Sequence, residues 1–188
     1  MTAETKGRRT GLIIGAAVAV VILALASATL VAAVANRRAT VRNGAFSAVT
    51  CTAPQLPGRT VDVTLTDRGN SMMGGAPMMV TLRASPATVN AGEVSFVASN
   101  GGALAHELVI LPLPTDGPGT RPIGADGKID ESQSLGEASK TCAEGTGDGI
   151  TPGATGWVTV TLKPGLYELV CDEPWHYGAG MFDVLTVR

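Results

Sequence analysis

The chain has 188 residues, with 24 glycines, 11 prolines, 3 cysteines, 2 histidines and only 4% aromatic residues. This length suits one domain plus an N-terminal segment. Two histidines are too few for multicopper centres and most hydrolytic zinc sites, so we expect any metal site to be mononuclear. Residues 1–38 contain five of the 14 basic residues and one of the 16 acidic residues. Residues 39–188 therefore carry nine basic and 15 acidic residues, a formal charge of −6. This negative charge argues against nucleic-acid binding.

Residues 11–35 form a run of 25 residues without a charge. As a helix this run would be about 37 Å long, enough to cross a hydrocarbon core of about 30 Å. We therefore predict a membrane anchor in residues 1–38, a tether in 39–59 and an exported domain in 60–188. The alternative is a cleaved signal peptide, since Ala33 and Ala35 form an A-x-A cleavage site. Both alternatives place the domain outside the cytoplasm, held at the cell membrane by a single span or secreted after cleavage. The basic residues do not fix the orientation, because three lie on each side of the run.

Beyond the tether, short runs of alternating or continuous apolar residues predict β-strands separated by Gly, Pro and Asn. The runs are 60–66, 80–83, 93–99, 107–111, 156–162, 166–171 and 182–187. This pattern favours an all-β fold, an antiparallel Greek-key β-sandwich. A long excursion between Pro112 and Pro152 exceeds an ordinary turn and is expected to contain a helical turn within 131–138.

Export makes the three cysteines informative, because thiols outside the cytoplasm tend to pair and one must be left over. Cys51 opens the domain and Cys142 lies in a Gly-rich part of the excursion. We predict a Cys51–Cys142 disulfide that leaves Cys171 free. The alternative pairs Cys142 with Cys171.

The most informative stretch runs from Cys171 through His176 to Met181, with a thiol, an imidazole and a thioether at intervals of five residues. A strand that ends at Cys171 and another that begins after Met181 would let the three side chains converge. His106, the other histidine, begins an apolar strand and can supply a fourth ligand. A thiolate, two imidazoles and a weakly bound thioether form the set that holds copper in electron-transfer sites, and this set is poor for zinc.

These residues resemble the cupredoxins, the blue copper proteins. The run HYGAGM at 176–181 is similar to the H-x-GAG-M ligand loop of plastocyanin, and the spacer between Cys171 and His176 is similar to that of rusticyanin, auracyanin and sulfocyanin. The resemblance implies a cupredoxin-like β-sandwich in which one copper ion is bound by His106, Cys171, His176 and Met181. Two departures are Glu107, which stands where plastocyanins carry Asn, and the long excursion. Glu107 puts the hydrogen bonding around the ligands in question.

In that geometry His176 would lie near the surface and pass electrons. Three apolar residues, Leu104, Trp175 and Ala179, could form a docking rim around it. Asp172 and Glu173 could steer a cationic partner or remain solvated loop charges.

A methionine cluster flanks the sequence GGAP at 74–77. Its members are Met72, Met73, Met78 and Met79. Clustered thioethers can bind Cu(I), so a second copper site is one interpretation. The other is a flexible hairpin tip that packs or offers an adaptable contact surface.

The sequence therefore predicts a membrane-tethered, mononuclear copper protein that carries single electrons between redox proteins in or at the membrane. We expect no enzymatic activity, no small-molecule substrate and no nucleic-acid partner. An alternative is copper storage, delivery or resistance through the methionine cluster. A third interpretation is an exported interaction domain that holds no metal.

Overall fold

The computed structural model describes residues 50–68 and 79–188. The predicted anchor therefore lies outside the described residues, as do Met72, Met73 and Met78. The described residues form nine strands, β1 (Arg59–Arg68), β2 (Met79–Ser85), β3 (Thr88–Val89), β4 (Gly92–Asn100), β5 (Leu108–Pro112), β6 (Gly136–Ala138), β7 (Thr155–Leu162), β8 (Gly165–Val170) and β9 (Phe182–Val187). Within this part of the chain no helix is long and apolar enough to cross a membrane.

The strands form two sheets, one in the order β2-β1-β4-β7 and the other in the order β3-β9-β8-β5-β6. The prediction of an all-β sandwich is confirmed, but the expectation of a purely antiparallel arrangement is wrong. β1 pairs with β4, and β3 pairs with β9, in parallel. The reason lies in the connections, because the chain crosses to the other sheet after β2, forms β3 there and returns as β4 beside β1.

The core between the sheets follows from alternation along the strands. In β1, Val61, Val63 and Leu65 are buried while the residues between them face outward, as a period of two requires. They pack with Phe96 and Leu169 in the main cluster. The copper-ligand candidates Cys171 and Met181 belong to the same cluster, at one end of the sandwich.

Strand β5 is buried on both faces, which explains its continuous apolar sequence. Leu108 and Ile110 face the main core. Val109 and Leu111 face a second, smaller cluster, whose other members are Ile129, Val170, Tyr177 and Phe182. Since Ile129 belongs to the excursion, the excursion covers the outer face of this sheet.

The excursion is held to the sheet by a strand, and the predicted helical turn within 131–138 is wrong. β6 pairs antiparallel with β5 along residues 136–138. Strand pairing wins because the edge of β5 would otherwise present unpaired backbone groups. An ion pair adds to this attachment, with Arg121 Nε 2.7 Å from Oε2 of Glu168, which is fully buried.

The predicted disulfide is confirmed. Cys51 and Cys142 are joined across 91 residues, and Cys171 is free and buried. The bridge ties the segment before β1 to the excursion.

Candidate metal centre

Four side chains predicted as ligands come from two segments at one end of the sandwich. His106 lies just before β5 and forms an isolated bridge with Ile150. Cys171 directly follows β8, His176 lies in the next turn, and Met181 directly precedes β9. His106, Cys171 and Met181 are fully buried, and His176 is 5% exposed. His176 was expected near the surface, but it is buried.

The donor atoms of three of these residues converge. His106 Nδ1 lies 3.2 Å from His176 Nδ1, and Cys171 Sγ lies 3.4 Å from His176 Nδ1 and 3.8 Å from His106 Nδ1. These three side chains form a group able to hold a metal ion. Two imidazoles and a thiolate are soft and borderline donors, and Met181 is buried in the same cluster as Cys171, so the chemistry of the set fits copper.

Backbone hydrogen bonds bring Met181 back to the other two residues of the ligand loop, which we define as residues 171–181. The Cys171 N–H donates to the Met181 carbonyl at 3.0 Å, and the Met181 N–H donates to the His176 carbonyl at 3.1 Å. The loop therefore closes on itself and returns the backbone of Met181 to Cys171.

Burial keeps the two imidazoles neutral. It lowers the pKa of His176 to about 4, and the adjacent His106 adds to the effect. It also lowers the pKa of His106, against the opposing influence of Asp67. Burial raises the pKa of the Cys171 thiol to about 12. The imidazoles thus offer free lone pairs at neutral pH, whereas the thiol binds a metal only by giving up its proton.

Asp67, at the end of β1, orients His106, and sequence reasoning missed it. Its Oδ1 lies 3.0 Å from His106 Nε2 and accepts hydrogen bonds from the N–H groups of Ala103 at 2.7 Å and Leu104 at 3.0 Å. A carboxylate at Nε2 fixes the proton on that nitrogen and leaves Nδ1 free to bind a metal. No local motif signals this role, because Asp67 is 39 residues from its partner.

Glu107 contributes its backbone, not its side chain, to the site. Its N–H donates to Cys171 Sγ at 3.4 Å. The replacement of Asn by Glu therefore leaves this hydrogen bond to the sulfur in place, because the backbone makes it.

The excursion contacts the ligand loop. Trp175 adopts a left-handed conformation with φ of 70°, and its N–H donates to the Gly127 carbonyl at 2.8 Å. Its ring lies so close to Gly127 that an added Cβ there would be 2.8 Å from the indole. Ile123 similarly contacts Gly178. These contacts, which the sequence did not predict, attach the excursion to the ligand loop.

The three apolar residues predicted to form a docking rim are exposed. Trp175 is 57% exposed, Leu104 is 42% exposed and Ala179 is also exposed. Both alternatives for Asp172, steering a partner and remaining a solvated loop charge, are wrong, because Asp172 is 1% exposed and its Oδ1 accepts the Ile129 N–H.

Of the methionine cluster, the structure describes Met79, an exposed residue at the start of β2. The second copper site therefore stays a prediction.

A family model for copper binding proteins of the plastocyanin/azurin family matches residues 70–188. No curated protein matches the chain significantly. Among solved structures, a dithionite-reduced auracyanin from Roseiflexus castenholzii is 21% identical over 70% of this chain and 99% of its own, with a TM-score of 0.42. Auracyanin B is 23% identical over 73% of this chain and 94% of its own, with a TM-score of 0.44. Rusticyanin from Thiobacillus ferrooxidans is 22% identical over 70% of this chain and 79% of its own, with a TM-score of 0.39.

Proposed function

The chain belongs to the plastocyanin/azurin family of copper-binding proteins, and we propose that it carries single electrons between redox proteins at a membrane. Members of this family bind one copper ion and transfer electrons. In this chain His106, Cys171, His176 and Met181 would hold the ion, whose change between Cu(II) and Cu(I) supplies the one-electron chemistry.

The observation that carries this proposal is the preformed donor set. Three donor atoms already lie 3.2 to 3.8 Å apart. Their side chains are buried in the core and held by neighbouring groups, such as Asp67 on His106 and the Glu107 N–H on Cys171. A rigid set of this kind suits electron transfer, because ligands that do not rearrange keep the reorganisation energy small.

The experiment is the visible absorption and paramagnetic-resonance spectrum of the full-length protein with one equivalent of Cu(II), before and after ascorbate. We expect an intense thiolate-to-copper band that ascorbate bleaches reversibly. Cys171→Ser should abolish this band, and a band that survives would refute the ligand assignment. Met181→Gln should retain copper and lower its reduction potential, whereas the matched Met79→Gln, at an exposed methionine, should change neither.

We further propose that electrons pass through the apolar surface formed by Leu104, Trp175 and Ala179 around the edge of His176. The exposure of Trp175 and Leu104 supports this choice, since apolar contact surfaces allow rapid docking and release. Trp175→Ala should slow electron self-exchange, measured by NMR line broadening in mixtures of Cu(I) and Cu(II) protein. Leu166→Ala, at an exposed apolar residue of β8, is the control and should leave the rate unchanged.

The membrane location rests on the uncharged run at 11–35. We propose that residues 1–38 anchor the protein and residues 39–59 tether a domain on the extracytoplasmic side. Resistance of the membrane-bound protein to carbonate extraction, with protease access from outside, would support this proposal. A soluble protein whose N-terminus is Asn36 would instead indicate a cleaved signal peptide.

A further inference from the structure

A second group of potential metal ligands lies beside the copper ligands and is not used by them. Glu107 follows His106, Asp172 follows Cys171, and Glu131 approaches from the excursion. One carboxylate oxygen of each lies within 4.8 Å of the others. Glu107 is 6% exposed and Asp172 is 1% exposed, so the group is largely removed from solvent. Repulsion between buried carboxylates must be offset by protons or by a cation.

The neighbouring groups offset this charge only in part. Lys128 Nζ lies 3.8 Å from Glu107 Oε1, beyond hydrogen-bond distance, and its side chain is 40% exposed. The Ile129 N–H donates to Asp172 Oδ1 at 2.7 Å. Glu107 Oε1 is buried and has no hydrogen-bond partner among the described residues. A buried oxygen without a donor is rare in folded proteins, and the carboxyl group that carries it lies beside two further carboxyl groups.

We propose that Glu107, Glu131 and Asp172 bind one hard divalent cation, and that Ca²⁺ fits best. All three ligands are carboxylates, which hard cations prefer, and the group contains no thiolate or imidazole that would favour copper. Two oxygens bound to one Ca²⁺ at about 2.3 to 2.6 Å each are at most about 5 Å apart, which agrees with the observed spread. Mg²⁺ fits less well, because it requires shorter, near-octahedral contacts and loses its water reluctantly.

The ammonium group of Lys128 competes with a bound cation for the carboxylate of Glu107. The partly exposed side chain of Lys128 can turn into solvent when the cation binds, and Glu131 is only half-buried, so water ligands can reach the cation from its side. Burial raises the pKa of Glu131 to about 7, as expected of a carboxyl group that holds a proton when no cation replaces it. A bound cation would join the excursion to the segments that carry His106 and Cys171.

The test is calorimetric titration of Ca²⁺ into the full-length protein loaded with one reduced copper. We expect one saturable site per chain. Glu131→Gln should weaken binding at least tenfold, because it removes one of three ligands. Glu144→Gln, at an exposed carboxylate in the same excursion, removes the same charge and should change the affinity less than twofold. Lys128→Gln should strengthen binding, because it removes the competing ammonium group.

Three results would overturn the proposal. The first is no saturable binding up to about 10 mM Ca²⁺, beyond the weakest sites that proteins use. The second is equal weakening by Glu131→Gln and Glu144→Gln, which would indicate diffuse attraction to an acidic protein. The third is tighter binding of Mg²⁺ than of Ca²⁺, which would refute the assignment of the ion. An unchanged thiolate-to-copper band in the oxidised form of each variant verifies that the fold is intact. Because heat of Ca²⁺ binding is measured without electron transfer, failure of the proposed electron carrier would leave this result standing.

Discussion

Asp67→Asn should raise the reduction potential of the bound copper. The Asp67 carboxylate accepts the Nε2 proton of His106, and its side chain is only 4% exposed. A negative charge at this position favours Cu(II) over Cu(I), because the oxidised ion carries one more positive charge. Asn has the same shape, and its carbonyl oxygen can accept the same hydrogen bonds from Ala103, Leu104 and His106. The substitution therefore removes the charge and keeps the hydrogen-bond geometry.

The magnitude follows from the separation of the two charges. The carboxylate oxygen lies 3.0 Å from the near side of the imidazole ring, and the other donor atoms meet on its far side. A charge centred there is about 7 Å from the carboxylate, and Coulomb's law at an effective dielectric constant of about 20 gives about 2.4 kcal/mol. For transfer of one electron this corresponds to about 100 mV. Screening by water at the loop surface reduces the effect, so we expect a rise of about 50 to 100 mV.

The assay is cyclic voltammetry or redox titration of the copper-loaded variant, with its absorption spectrum as the test of an intact site. Asp62→Asn, at an exposed residue of the same strand, is the matched control and should shift the potential by less than about 20 mV, because water screens its charge. An unchanged or lowered potential in Asp67→Asn, with the copper spectrum retained, would refute the role given to Asp67.

Three further predictions concern stability. Replacing Cys51 and Cys142 by Ala should cost about 4 kcal/mol of unfolding free energy in urea denaturation, because the bridge closes 91 residues of chain; a loss below about 1 kcal/mol would contradict this. Glu168→Gln should cost about 3 kcal/mol in the same assay, because it leaves the partly buried Arg121 without its counter-charge, and a neutral effect would mean that the pair is not formed. Burial raises the pKa of Glu107 to about 8, so the folded copper-free protein retains a proton that the unfolded chain loses from about pH 4.5 upward. The contribution of Glu107 to stability should therefore fall between pH 4.5 and 8, by an amount on the order of a few kcal/mol, while the lowered pKa of His176 acts in the opposite direction below about pH 6.5. The difference in unfolding free energy between the wild type and Glu107→Gln isolates the Glu107 contribution and should follow this pH course, and a difference independent of pH would refute it.

The strands were predictable because their cause is local. All seven predicted runs lie within or overlap observed strands, since alternation of apolar residues reports directly on burial of one sheet face. β3 and β6 were missed because their two and three residues are too few for a period to appear. β6 exists only because β5 offers a free edge, which depends on tertiary structure.

The candidate ligands were predictable for a similar reason. Cys171, His176 and Met181 lie within eleven residues, so their spacing is visible in the sequence. Asp67 acts across 39 residues and Glu131 across more than 20 from either neighbour in its cluster. Nothing in the local sequence distinguishes an aspartate that orients a ligand from one that is exposed to solvent at the end of a strand. Its role becomes visible only when the strand and the loop before β5 are brought together.

The excursion contacts the segments around the copper ligands in two places. Ile129 belongs to the apolar cluster over β5, and its N–H donates a hydrogen bond to Asp172 Oδ1. Gly127, two residues earlier, receives the Trp175 ring, and a side chain there would collide with it. Because φ at Gly127 is 82°, a non-glycine residue would also be strained. Gly127→Ala should therefore displace Trp175 without touching a ligand. If electron exchange then slows while the reduction potential stays unchanged, the exposed apolar surface affects the rate of exchange and not the copper ligands. A shifted potential would mean that the excursion also sets the geometry of His176.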